Sequence, residues 1–311
     1  MLSRRNVRIK VMQMLYSMSR DAGLKYEDMQ ARYWDRINKS FQLYLFNLLY
    51  FARIAEYARQ DAERRTAKLL PSEEDLHFVP KLCDNPLLQS IAGNGELKTL
   101  FKHYKLEERV DADTVRLIYA EFSKNTDYLA YVLDKETSAE EHQAKLLELY
   151  KHCIQHEHFN ELMEDHFPQW IDDKSLIVGA VKKTIKALPS PNGFYEDYRP
   201  PKETTREFGE TLLRMVVETD EELLQLIEPT LKNWDADRVA IIDMILLKMA
   251  LTELMNFPTI PSKVTLNEFV EISKLYSTEK SKDFINGILD RLMKKLHKEG
   301  KIKKEGRGLL E

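Results

Sequence analysis

Residues 257–291 read FPTIPSKVTLNEFVEISKLYSTEKSKDFINGILDR, and this stretch specifies more of its own structure than any other in the chain. Pro258 and Pro261 stop whatever helix precedes them. Thr265 and Glu268 stand in T-x-x-E spacing, which predicts a capping box and a helix starting at Thr265. Leu266, Phe269, Val270 and Ser273 follow at helical spacing, and the pattern breaks at Tyr276-Ser277-Thr278. It resumes with Phe284, Ile285, Ile288, Leu289 and Leu292 on one stripe, a second helix. Gly287 lies inside that second helix at a cost of about 1 kcal/mol against Ala, so a helix or a ligand is expected to approach the backbone there.

Outward from this stretch the composition is that of an all-helical protein. The 311 residues include only 10 glycines and 11 prolines, which argues against a glycine-rich nucleotide-binding fold. Gly93-Asn94-Gly95 stands alone, without the other glycines of a phosphate-binding loop. Cys83 and Cys153 are too few for a disulfide framework and point to a reducing, cytoplasmic compartment. The N-terminus is basic without an apolar stretch to follow, so no signal peptide is expected. The apolar run from Phe41 to Ala52 is too short to span a bilayer and reads as a buried helix.

The formal net charge of −4 hides an asymmetry. Residues 1–20 carry +5 and residues 291–311 carry +5, leaving −14 for the rest. Charged termini taken alone read as solvated tails. The first segment resists that reading. Val7, Val11, Met14, Leu15 and Met18 share a helical face, and Arg4, Arg5, Arg8 and Lys10 crowd its first turns. A helix N-terminus carries partial positive charge and prefers acids. An external anion accounts for the arginines, whose planar forks suit phosphate.

The stretch from Lys263 to Asp290 resembles the C-terminal half of the NusB family of transcription antitermination proteins. The matching details are K-V-x-x-N-E at Lys263–Glu268, S-x-x-F-x-N-G-x-L-D at Ser281–Asp290, A-x-x-E-L at Ala250–Leu254 and N-W-D-A-D-R at Asn233–Arg238. The family's arginine-rich opening helix is matched at the other end, with Q-x-L-Y at Gln13–Tyr16. The resemblance implies an all-α fold and a non-enzymatic factor that binds boxA RNA together with the ribosomal protein NusE. Other Nus factors and RNA polymerase would be reached indirectly. It implies RNA contacts from Arg4, Arg5, Arg8, Lys10, Tyr16, Lys280, Lys282 and Phe284, and a partner contact from Glu253. Two departures touch this footprint: Asn6 stands where an arginine is frequent, and Met255-Asn256-Phe257 lacks the basic residues of some relatives.

Read along the chain, residues 1–20 form the opening helix of a NusB-like domain and residues 206–296 its C-terminal helical bundle. Between them lie a helical insertion over 21–188 and a Pro-rich linker over 189–205, whose Phe194, Tyr195 and Tyr198 suggest that it packs. Residues 297–311 form a basic tail, polar enough beyond Gly300 to be disordered. In the insertion, helical patterns run over 34–70, 97–105, 113–124, 126–133, 139–157 and 175–188; in the bundle, helices are expected from Phe208, over 222–234 and over 237–256. Trp170 and Trp234 each close an apolar stretch before an Asp-basic pair, which ordinary helix-start chemistry explains. His152, Cys153, His156 and His158 have metal-like spacing but no distant ligand pair, and read as a hydrated helix face. No metal, cofactor or catalytic carboxylate pair is expected. The alternatives are the RNA-binding part of a ribosomal RNA methyltransferase system, which needs an α/β cofactor domain, or a helical interaction scaffold.

Overall fold

The computed structural model describes residues 1–21, 23–231 and 239–309. The N-W-D-A-D-R motif, Trp234 and the ends of the two helices expected around it lie outside the described residues. Among the described residues there are fifteen α-helices and no strand, so the chain is all-α. The helices are α1 (Arg4–Arg20), α2 (Tyr26–Thr66), α3 (Glu73–His77), α4 (Pro86–Ala92), α5 (Gly95–His103), α6 (Ala112–Phe122), α7 (Thr126–Leu133) and α8 (Ala139–Gln155). There follow α9 (Glu157–His166), α10 (Trp170–Lys186), α11 (Thr211–Glu218), α12 (Asp220–Ile227), α13 (Ile241–Asn256), α14 (Ser262–Tyr276) and α15 (Ser281–Lys298). No helix of the described residues is long and apolar enough to cross a membrane.

The chain divides into two compact units, one of residues 38–199 with Met1, the other of residues 2–37 and 200–311. In the first, α2 is the central element. Leu43 through Ala52 are buried without interruption, because the apolar run leaves no polar face and must be covered on all sides. Short helices pack around it, and Asn85, Asn94, Asp111, Asn125 and Ser138 cap α4 to α8 by accepting first-turn backbone N–H groups. The core is aromatic, with Tyr44, Phe46, Tyr50, Phe51, Tyr150, Phe159 and Trp170 all fully buried. Up to Arg199 the Pro-rich stretch belongs to this core: Tyr195 is buried, Tyr198 stacks on Tyr44 at 4.5 Å and Arg199 lies 4.6 Å from the Phe41 ring centre.

Of the histidine cluster only His158 lies on a hydrated face. Cys153 is fully buried, His152 packs against Phe122 at 5.6 Å, and His156 Nε2 lies 3.2 Å from the Glu121 carboxylate. The three helices α6, α8 and α9 meet here, which is what draws the rings out of solvent. Among the described residues no group of His, Cys, Asp and Glu is arranged to hold a metal ion.

In the second unit the central helix is α13, where Ile245, Leu246, Leu247 and every residue from Met249 to Leu254 are buried. Helices α1, α11, α12, α14 and α15 surround it. Residues 26–37 of α2 also pack here, seventeen residues past the expected end of the opening segment at Arg20. Tyr33 Oη donates to Thr205 O at 2.6 Å, and Gln30 and Trp34 both donate to Glu210. Their acceptors lie on a π-helical segment, Glu203–Glu210, that leads into α11.

Two expectations for this unit change. Helix α14 starts three residues before Thr265, after Pro261, and Thr265 is buried within it. Pro261 already fixes the entry to the helix, so Thr265 and Glu268 are released for other bonds. A capping box does form in this unit, where Ser3 and Asn6 cap α1. The space around Gly287 is open, its notional Cβ meeting only the Arg291 guanidinium at 3.9 Å, so no helix approaches there. The close approach is at Gly209, where a Cβ would fall 2.1 Å from Tyr33 Oη and 2.3 Å from Val7 Cγ1.

Candidate nucleic-acid interface

Helix α1 is encased. Val7 through Leu15 are buried except for Gln13, and the buried set includes Arg8 and Lys10. No acid of its own occupies its first turn, so acids from other elements balance the arginines. Arg8 Nε and Nη2 donate to the two oxygens of Glu253, each at 2.7 Å, and Nη1 donates to Glu268 at 3.3 Å. Thr265 Oγ1 donates to the same Glu253 carboxylate at 2.8 Å. The Phe208 and Phe269 rings flank the guanidinium at 5.2 and 5.8 Å. Arg8 and Glu253 side chains are 3% and 0% exposed, so this pair holds α1, α13 and α14 together almost entirely out of solvent.

That burial corrects three expected contacts. Arg8 and Lys10 do not face a phosphate, and Glu253 does not face a protein partner. The reason is packing: α13 is buried from Met249 to Leu254, around Glu253, and Arg8 sits on the face of α1 that meets it. Arg4 and Arg5 are the arginines that remain at the surface. Arg4 Nη2 donates to Glu203 at 3.1 Å and Arg5 donates to Glu268 at 2.9 and 2.6 Å. The Glu268 hydrogen bond raises the Arg5 pKa further above its ordinary value, so the fork is permanently cationic. Arg5 keeps 49% of its side-chain surface. Exposed ion pairs are worth about 0–1 kcal/mol, so a phosphate can displace Glu268 from Arg5 at little cost.

Ser3, Arg4, Arg5, Ile260, Pro261 and Val264 line a solvent-open cleft of about 440 Å³ at this end of the unit, with Arg8 and Glu268 at its base. The other expected contacts lie elsewhere. Lys280 and Lys282 are exposed beside Ser281, whose hydroxyl donates to Asp243 near the start of α13 at 2.7 Å. Glu253 is ten residues further along the same helix, about 15 Å at 1.5 Å per residue. The structure therefore does not bring Lys282 and half-buried Phe284 against Arg5. Tyr16 is exposed on the far half of α1, next to Leu15 and Met18, which share a groove with Met244 and Ile245 of α13. The basic positions thus form two clusters toward opposite ends of α13, about 15 Å apart along the helix.

Residues 179–294 match the NusB family model. Over 107 residues the chain is 45% identical to the transcription antitermination protein NusB of Salinibacter ruber, an alignment covering 34% of this chain and 67% of that protein. The chain belongs to the NusB family. It is 36% identical over 106 residues to the NusB of Chloroherpeton thalassium, and 43% identical over 90 residues to that of Syntrophotalea carbinolica. These alignments cover 34% and 29% of this chain, and 50% and 58% of those proteins. The chain thus spans about half to two thirds of the length of the NusB proteins it matches. No solved structure matches it significantly. The family region begins inside α10, before the Pro-rich stretch, and closes before the C-terminal tail, so α1 and its arginines lie outside it.

The sequence had no direct signal for Glu203 and Glu268 as the acids that occupy the exposed arginines. Only the backward charge of the first turn of α1 pointed to missing counter-ions.

Proposed function

We propose that this NusB-family chain is a non-enzymatic transcription antitermination factor of the cytoplasm, which binds boxA RNA jointly with NusE during ribosomal RNA transcription. The observation that carries the reading is the pair Arg4 and Arg5. Arg5 is exposed and Arg4 half-buried at the N-terminal end of a helix whose dipole repels them, on the rim of a cleft open to solvent. The relatives are named as antitermination proteins, and a phosphate backbone is the polyanion such a factor meets.

In this reading Arg4 and Arg5 exchange their carboxylates for phosphate oxygens. Arg8 and Lys10 act from beneath as positioning residues, Arg8 by fixing Glu253 and Glu268. Lys280, Lys282, Tyr16 and Phe284 form a second contact cluster further along the strand, with the aromatic side chains available to stack on unpaired bases. Glu253 serves partner binding only indirectly, by holding the frame of α1, α13 and α14. Residues 38–199 are an additional helical region of the chain. The test is an anisotropy titration of labelled boxA RNA against salt. Arg5→Ala should weaken binding and reduce the salt slope by about 0.7, the value for one single-strand phosphate contact. An unchanged affinity and slope would remove Arg5 from the site.

A further inference from the structure

The described residues of the basic tail, up to Leu309, are docked rather than loose. Helix α15 ends in a left-handed Gly300 at φ +66°, with the Lys301 N–H bonded back to Leu296 O at 2.9 Å, a glycine-terminated helix stop. The chain then turns back over the unit. Ile302 is buried, Lys304 Nζ donates to Phe257 O at 3.2 Å and Glu305 N donates to Pro258 O at 3.0 Å. Gly306 takes φ +54°, and Gly308 lies so close that a Cβ on it would fall 1.9 Å from Pro258 O. A solvated tail needs none of these devices.

Where the tail docks is informative. Phe257–Ile260 is the segment between α13 and α14, and Ile260 and Pro261 continue from it as a wall of the Arg4–Arg5 cleft. Burial lowers the Lys304 pKa while the charge of Glu253 opposes the shift, which places Lys304 within reach of the carboxylate that holds Arg8. The tail therefore arrives at the arginine end of α13, while Lys280 and Lys282 stand at the other. Its remaining cations, Lys301, Lys303 and Arg307, are exposed. Lys301 pairs with Glu299 at 3.0 Å; Lys303 and Arg307 have no acidic side chain within ion-pair distance among the described residues.

We infer that the docked C-terminal tail extends the Arg4–Arg5 cleft into one continuous track for the phosphates of single-stranded RNA, with Lys303 and Arg307 as its added contacts. This rests on the RNA-binding reading above and adds to it residues outside the family region. The docking holds the tail on Phe257 and Pro258, the segment that leads into the cleft wall, so the strand meets a set of charges already in place. Pre-positioned charges lose less ordering entropy on binding than a loose tail would.

The experiment uses the full-length chain and a labelled single-stranded RNA, with affinity measured from 50 to 200 mM salt. Lys303→Ala with Arg307→Ala removes two exposed charges. It should lower the salt slope by about 1.4, so that affinity falls about sevenfold less across that range. Gly308→Ala keeps every charge but cannot seat against Pro258, and should lose a comparable part of the slope. If the double variant binds as the parent does while Arg5→Ala weakens binding, the track is refuted and the cleft stands. If the double variant flattens the slope and Gly308→Ala does not, the charges act from a loose tail and the docked track is refuted. If the parent binds no RNA, the track falls together with the reading beneath it.

Discussion

Glu253 accepts three hydrogen bonds in full burial, two from Arg8 and one from Thr265. A buried charge is tolerated only when it is paired and its lone pairs are filled, and removing one partner strands the other at a cost of about 3–5 kcal/mol. Arg8→Ala and Glu253→Gln should therefore each lower unfolding free energy by several kcal/mol in urea titrations. Arg5→Ala, cutting a pair half open to water, should change it by about 1 kcal/mol or less. Similar losses for Arg5 and Arg8 would contradict this division of labour. Sequence placed all these arginines in one class because residue type and spacing do not report which face of a helix is covered. The same limit applies to glycine. Gly287 and Gly209 both interrupt helical stretches, yet only Gly209 is wedged against Val7 and Tyr33. Gly209→Ala should destabilise by about 1–3 kcal/mol through overpacking, and Gly287→Ala should stabilise by about 0.5–1 kcal/mol. Denaturation midpoints of the two variants should move in opposite directions.

At the scale of elements, helix existence was legible and helix entry was not. Apolar periodicity located α6, α7, α8 and the two helices of the 257–291 stretch. The T-x-x-E spacing placed the start of α14 at Thr265, whereas Pro261 sets it at Ser262. A threonine and a glutamate three apart share one helix face as readily as they cap one, and here Thr265 donates to Glu253 while Glu268 accepts from Arg5 and Arg8. The α6–α8–α9 junction carries an element-scale prediction. Burial is the main cause lowering the pKa of His152, with neighbouring His156 adding to it, and burial likewise lowers His142. The unfolded chain then binds protons that the folded one refuses, so stability is complete above pH 6.5 and declines as pH falls below it. His158 shifts upward through its bond to Glu161 and opposes this, but it is exposed and screened. The urea midpoint should thus be lower at pH 5.5 than at pH 7.5, and His152→Phe should reduce the difference. A midpoint that rises on acidification would refute the account.

For the molecule as a whole, the fold class could be read from the scarcity of glycine and proline and from periodicity. The family could be read from ordered motifs between Ala250 and Asp290. The unit boundary could not. Residues 26–37 continue the helical pattern of α2 without a break, and only packing shows that Tyr33 and Trp34 join the C-terminal bundle. The path of the tail was equally hidden, since alternating lysines and glycines read as solvated chain until Ile302 and Gly308 are seen against the bundle. What the sequence did carry was the charge at its two ends, and the structure draws Arg4, Arg5 and the tail to the same end of α13. The central claim is that this surface reads a specific RNA. Its most direct test is a titration of boxA and scrambled RNA of equal length, with and without NusE, at several salt concentrations. BoxA should bind more tightly, the more so with NusE, and the salt slope should fall in Arg4→Ala and Arg5→Ala. Equal affinity for both RNAs, unchanged by NusE, would contradict that claim and leave only a surface for polyanions in general.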